Sequence, residues 1–177
     1  MAEARVRIYL GHGASGTAAS MRPYLRALRA RGLDAGGLDL PRRGRSVIKA
    51  EEAVPALLAA VPDAARAAVG GHSYGGRVAS LAAAQVPFGA LVLLSYPLHR
   101  PGHPESLRTE HWPRIGCPVL LLSGESDPFA RIDLLRQAVR RLPRAQLWTY
   151  PGLGHGLLPV LEDAADRIAA FVSRSIR

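Results

Sequence analysis

The sequence predicts an α/β fold: a three-layer sandwich with a mostly parallel sheet of about six strands and helices on both faces. Three observations carry this. Short apolar runs alternate with longer helix-like stretches along the whole chain. Those runs are nearly continuous in Val, Leu, Ile and Ala, as in strands covered on both faces. One run also leads through Gly71-His72-Ser73-Tyr74-Gly75 into a helix-like stretch, a G-x-S-x-G sequence in a strand–turn–helix context.

The elements follow in order. A strand over 5–10 leads through Gly11-His12-Gly13-Ala14-Ser15-Gly16 to a helix near 20–31, with Gly32 as its stop. A strand around 34–40 ends at Pro41, and a helix spans roughly 50–61. The strand 66–70 precedes the Gly71–Gly75 turn, and a helix from Arg77 to Gln85 follows it, ending before Pro87. A strand over 89–95 opens into a loop rich in Pro and His at 96–113. Strand 118–123, helix 131–142, strand 145–150 and a terminal helix 160–174 complete the chain. No repeat, linker or low-complexity segment interrupts this order, so residues 1–177 read as one domain. There is no room between the elements for an inserted cap.

Composition narrows the function classes. The formal net charge is +9, yet Lys49 is the lone lysine among 23 basic residues. The arginines are scattered. Their densest groups, Arg42-Arg43-Gly44-Arg45 and Arg140-Arg141, lack interleaved stacking aromatics, so they read as solvated faces rather than a nucleic-acid footprint. No apolar run is long enough to span a bilayer. Met1-Ala2-Glu3-Ala4-Arg5 shows no signal-peptide pattern, and a single cysteine, Cys117, fits a reducing compartment. A cytoplasmic protein is the expectation, with Cys117 as a small core residue.

The chemistry concentrates in three loops. In the Gly71–Gly75 turn the glycines remove side chains that would clash in a tight strained bend, and Ser73 is presented at a strand end ahead of a helix N-terminus. The apolar run 118–123 leads to Gly124-Glu125-Ser126-Asp127-Pro128, and the last strand leads to Pro151-Gly152-Leu153-Gly154-His155-Gly156. A serine, an acid and a histidine in this order, each after a strand, point to a nucleophile, a residue that orients the base, and a general base. Asp127 is the expected acid. Glu125, two residues earlier, is expected to face solvent or cap the turn. The glycine-rich loop after the first strand is expected to supply one oxyanion N–H at Ala14, and Tyr74, after the serine, the other. It lacks the Lys-Ser/Thr of a phosphate-binding loop, and its glycines do not fit a dinucleotide fingerprint.

The remaining histidines divide. His12 is expected to orient the loop that carries it. His72 is expected to be structural. His99, His103 and His111 are too widely spaced for a tight metal-ligand pair. Tyr96 and His99 follow a strand C-terminus, the edge where open α/β sheets bind ligands, and together with His12 are expected to line the substrate pocket.

The serine turn, acid loop and histidine loop together resemble the α/β-hydrolase superfamily over nearly the whole chain, in a minimal form without its first two strands. The segment Ser95-Tyr96-Pro97-Leu98-His99-Arg100-Pro101, then Leu107-Arg108, resembles the small lidless branch related to dienelactone hydrolases. That branch includes testis-expressed hydrolase-like proteins and a histone-acetyltransferase-complex subunit. The chain departs from the branch at His72 and Tyr74, where Arg and Met are common, and from dienelactone hydrolases in having serine for cysteine. The resemblance implies that Ser73, Asp127 and His155 form a triad cleaving small-molecule esters or related acyl compounds, with no metal or organic cofactor. A non-catalytic interaction protein on the same fold is the alternative, because some relatives act as scaffolds.

Overall fold

The computed structural model describes residues 6–176. The expected strand start at Arg5 and the reading of Met1–Arg5 lie outside those residues. Six parallel strands form one sheet: β1 (Arg7–Gly11), β2 (Asp34–Leu38), β5 (Ala67–His72), β6 (Ala90–Leu94), β7 (Val119–Gly124) and β8 (Ala145–Tyr150). Their order is β2-β1-β5-β6-β7-β8. A short hairpin of β3 (Arg42–Arg43) and β4 (Ser46–Val47) lies apart from this sheet. It was not foreseen, because two-residue strands joined by polar residues carry no periodic signal; Gly44, at φ +62°, makes the turn.

The two-residue side-chain period of the strands divides the core. In β6, Leu91 and Leu93 face one side of the sheet and Ala90, Val92 and Leu94 the other. The helices α1 (Arg22–Arg29) and α5 (Leu161–Ser175) cover the second face, packing Leu25, Leu28, Ile168 and Phe171 against Ile8, Leu10 and Leu120. The helices α2 (Ala50–Ala60), α3 (Tyr74–Ala83) and α4 (Ile132–Ala138) cover the first, packing Val54, Leu57, Val78 and Leu135 against Val69 and Leu121. All five residues of β6 are buried, which is why its sequence is apolar throughout. Cys117 is buried in this core, where desolvation pushes its thiol up to about 11, so it is a neutral packing group.

Several boundaries move for local reasons. The helix expected near 20–31 is a 3₁₀ turn, Ala18–Met21, followed by α1 with Pro23 in its first turn. Gly32 ends it at φ +88°, its N–H reaching Arg29 O while the Leu33 N–H reaches Leu28 O. The 131–142 and 160–174 helices likewise carry 3₁₀ turns, Val139–Arg141 and Leu158–Val160. The largest shift is at the serine turn: β5 runs on to His72 and α3 begins at Tyr74, three residues before the expected Arg77.

The 95–111 segment is irregular but packed. Leu98, Trp112 and Ile115 are fully buried. The Tyr96 hydroxyl donates to Arg108 O at 2.7 Å, and the Arg108 N–H to Leu98 O at 2.8 Å. His111 is buried against α3. The Ser80 hydroxyl donates to Arg77 O, so its oxygen accepts from His111 Nε2–H at 2.8 Å. Burial first, then the Arg77 charge, lowers the His111 imidazole to about 4.

This burial ties stability to pH. Between pH 6.5 and about 4 the unfolded chain protonates His111 while the folded chain keeps it neutral. The unfolded state then binds more protons, so stability falls as pH drops through that window, by on the order of 3 kcal/mol from this group. Urea unfolding at pH 7 and pH 4 should show a loss, and His111→Gln should reduce it by this group's share. An unchanged pH dependence in the variant would place the loss elsewhere.

Candidate active site

The site forms where β1, β5, β7 and β8 end on the same edge of the sheet. Ser73 follows β5 at φ 50°, ψ −115°, a left-handed conformation that costs a non-glycine residue about 1–3 kcal/mol. Its neighbours hold it there. The Ser73 N–H donates to Leu94 O at 2.9 Å, and α3 starts immediately behind it. The bend is possible because the chain closes on itself at glycine: a Cβ at Gly75 would collide with the Gly11 carbonyl group, and one at Gly71 with Gly11 O and the Gly75 main chain.

His155 and Asp127 complete a hydrogen-bonded chain. His155 Nδ1–H donates to Asp127 Oδ2 at 2.8 Å, which leaves Nε2 to accept from the Ser73 hydroxyl at 2.8 Å. The Asp127 side chain is fully buried, and its Oδ1 accepts the Phe129 N–H at 2.8 Å. The Phe129 ring lies 4.4 Å from the His155 ring, tilted 32°. Glu125 points elsewhere, accepting from Thr149 Oγ1 at 2.7 Å and Arg136 Nη2 at 3.1 Å. Between the two carboxylates of this loop, Asp127 is therefore the one beside the histidine.

The loop after β1 is held in place beside the serine. His12 is 1% exposed: its Nε2 accepts the Leu40 N–H at 3.0 Å, so Nδ1–H donates to Gly13 O at 2.8 Å. Arg42, expected to be merely solvated, donates from Nη1 to Gly16 O at 2.9 Å. That contact was hidden from sequence because it joins the hairpin to a loop 26 residues away. The Tyr74 N–H is the first of α3, and neither it nor the Ala14 N–H has a protein acceptor among the described residues.

A cavity of about 390 Å³ opens beside Ser73, with Met21, Tyr24, Phe129, Leu157 and Leu158 as its apolar wall and His72 next to the serine. This corrects the expected pocket. Tyr96, His99 and His12 do not line it. Tyr96 is 1% exposed, tied to Arg108 O with its ring tilted 59° against Trp112; His99 is 2% exposed, accepting the Arg131 N–H on Nε2 and donating from Nδ1 to Arg100 O. Each follows a strand end but turns into the core, while the true walls come from the loop and 3₁₀ turn after β1, from α1, and from the loops after β7 and β8. His103 is exposed beside Glu105, apart from His99 and His111. Among the described residues, no group of three His, Cys, Asp or Glu is placed to hold a metal ion, and no helix is long and apolar enough to cross a membrane.

Such a chain of donors and acceptors can take the proton from Ser73 as its oxygen attacks an electrophile, with Asp127 holding the imidazole tautomer. Asp127→Asn should therefore slow fluorophosphonate labelling of Ser73 by at least about a hundredfold, whereas Glu125→Gln should leave it within a few fold. Labelling rates in the opposite order would show Glu125 to be the orienting acid.

A family model described as an alpha/beta hydrolase domain matches residues 5–167. Among solved structures, the chain is similar to a monoacylglycerol lipase from Paleococcus ferrophilus (15% identity, 96% of this chain and 94% of that one, TM-score 0.81). It is also similar to the esterase Pf2001 from Pyrococcus furiosus (20%, 96% and 82%, TM-score 0.80) and to a dienelactone hydrolase from Anabaena variabilis (22%, 99% and 89%, TM-score 0.79).

Proposed function

The chain belongs to the alpha/beta hydrolase domain family, and from that premise we propose that it is a serine hydrolase cleaving small esters or related acyl compounds. One observation carries the reading: the unbroken Asp127–His155–Ser73 chain, 2.8 Å at each link, at the edge of an apolar cavity. Ser73 Oγ attacks the acyl carbon and its proton passes to His155 Nε2. The carbonyl oxygen, now negative, is received by the Ala14 and Tyr74 N–H groups, the latter with the α3 N-terminus behind it. The oxyanion collapses, the bond to the leaving group breaks, and His155 gives that group its proton. Water, deprotonated by the same histidine, then attacks the acyl-enzyme and frees Ser73. Each step uses only groups of this chain, the substrate and water. The esterase and lipase descriptions of the similar structures agree with this class of chemistry. Within the family, the Ser95–Pro101 segment supports placement in the lidless branch related to dienelactone hydrolases.

The test is covalent labelling with a fluorophosphonate and an ester-panel screen. Ser73→Ala should remain folded, lose the label and lose at least about 10³ in kcat. A wild-type protein that neither labels nor turns over any ester would favour the non-catalytic interaction protein instead.

The cavity also sets chain length. Each CH₂ contributes roughly 0.8 kcal/mol, about fourfold in kcat/KM, only while it lies against this apolar wall and out of water. Among the described residues the one helical segment between β6 and β7 is the three-residue turn Trp112–Arg114, so no helical lid is inserted there. On p-nitrophenyl esters of two to twelve carbons, kcat/KM should be highest among the short chains. The rate should not jump where substrate passes its solubility limit. A maximum at twelve carbons, or a jump at that limit, would show that a further apolar surface closes over the site.

A further inference from the structure

The residue before the serine stands in a different position from the one expected of a packing group. The strand period puts His72, with Ala68, on the α1 and α5 side of β5, and there it lines the cavity. Its Nε2 lies 2.9 Å from His155 O, so the nitrogen carries the hydrogen and donates it. Among the described residues this is the one hydrogen bond made by the main chain of His155. The loop bearing His155 is otherwise fastened on either side of it, by the Ser126 N–H to Leu153 O at 2.9 Å and the Val160 N–H to Leu157 O at 3.0 Å. The two imidazole rings lie 5.2 Å apart, and the other nitrogen of His72 faces Gly13, where a Cβ would come within 3.1 Å of it.

We infer that His72 is a positioning residue: its Nε2–H, presented by the strand that also presents Ser73, holds the His155 carbonyl and so sets the distance between base and nucleophile. The inference rests on the serine-hydrolase reading above. It assigns to one rigid strand end the placement of both reacting side chains, Ser73 directly and His155 through its main chain. Without this bond, the main chain of residues 154–156 has no hydrogen bond to the strand that carries Ser73, and a displacement of about 1 Å at the reacting atoms can reduce rate a hundredfold. Burial, which lowers the His72 pKa, also favours its neutral form; a second cation would otherwise sit beside the imidazolium that forms on His155. The charged or titratable groups acting on His72 are His155 and Asp127, from the loops after β8 and β7.

The experiment separates the donor from the ring. His72→Gln keeps an N–H at the Nε2 position; His72→Phe keeps the ring and His72→Leu the bulk, both without the donor. The readouts are kcat and KM on a short ester, the rate of fluorophosphonate labelling, and urea stability. Gln should stay within about threefold of wild type. Phe and Leu should lose about 10- to 100-fold in kcat and in labelling rate, with KM within about twofold. Wild-type rates in folded Phe or Leu, or a loss in Gln equal to that in Phe, would overturn the assignment. Should the apolar variants not fold, ¹⁵N-histidine spectra of the wild type decide. The assignment requires the Nε2–H tautomer at His72, and an Nδ1–H tautomer there overturns it. A wild type inert to label and ester overturns the hydrolase reading itself, a result distinct from any difference among these variants.

Discussion

The close approach of three glycines is the constraint on which the rest depends. Gly11 ends β1, Gly71 lies next to last in β5, and Gly75 sits in the first turn of α3; a side chain at Gly71 or Gly75 would occupy the space of another's main chain. That contact lets α3 start directly behind the strand, with Ser73 in its left-handed conformation and the Tyr74 N–H without a main-chain acceptor. The strain of about 1–3 kcal/mol is held by the sheet beneath it. Leu91, Val92, Leu93 and Leu94 are all fully buried, and each such side chain contributes roughly 1.5–3 kcal/mol relative to exposure. A rigid core next to a strained turn is a general way of fixing a reactive group before a substrate arrives.

The two partners of Ser73 are held differently. Asp127 is locked by burial and by the turn it makes with the Phe129 N–H. His155 lies on a loop held by a few main-chain bonds and by contact across the sheet edge. Gly124 belongs to that contact, because a Cβ there would collide with the carbonyls of Leu153 and Gly154. None of residues 151–156 is buried, so local opening there should cost less than at the strand ends.

The positive charge has a partly internal use. Arg29 donates to Ala35 O at 2.6 and 2.9 Å, Arg31 to Ala27 O at 2.9 Å, and Arg42 to Gly16 O at 2.9 Å. Arg31 also joins α1 to α5 through Glu162 and Asp166, at 2.8 and 2.6 Å, both exposed carboxylates and so worth no more than about 1 kcal/mol each. The guanidinium of Arg167 lies 3.3 Å from the centroid of the Trp148 ring, covering one of the few large apolar side chains left exposed on the edge strand β8. Several arginines thus act as multi-donor struts between main-chain segments.

The layered α/β architecture, the six strands, and the placement of Ser73, Asp127 and His155 after three of them could be read from the sequence. Each follows from a local pattern: continuous apolar runs, glycine at a tight bend, and polar residues just past a strand end. The three residues lie within hydrogen-bond reach because parallel strands deliver their C-terminal ends to one edge. What lay beyond the sequence depended on contacts between distant segments. Tyr96 and His99 occupy the same kind of strand-end position as the acid and the histidine, yet they turn into the core, because their polar atoms find Arg108 O and the Arg131 N–H there. Arg42 and His72 looked like a solvated charge and a packing group, and each reaches a main-chain carbonyl 26 or 83 residues away. A local pattern specifies which face of an element is apolar; which polar atom meets which carbonyl is decided only when the elements pack and every buried donor must find an acceptor.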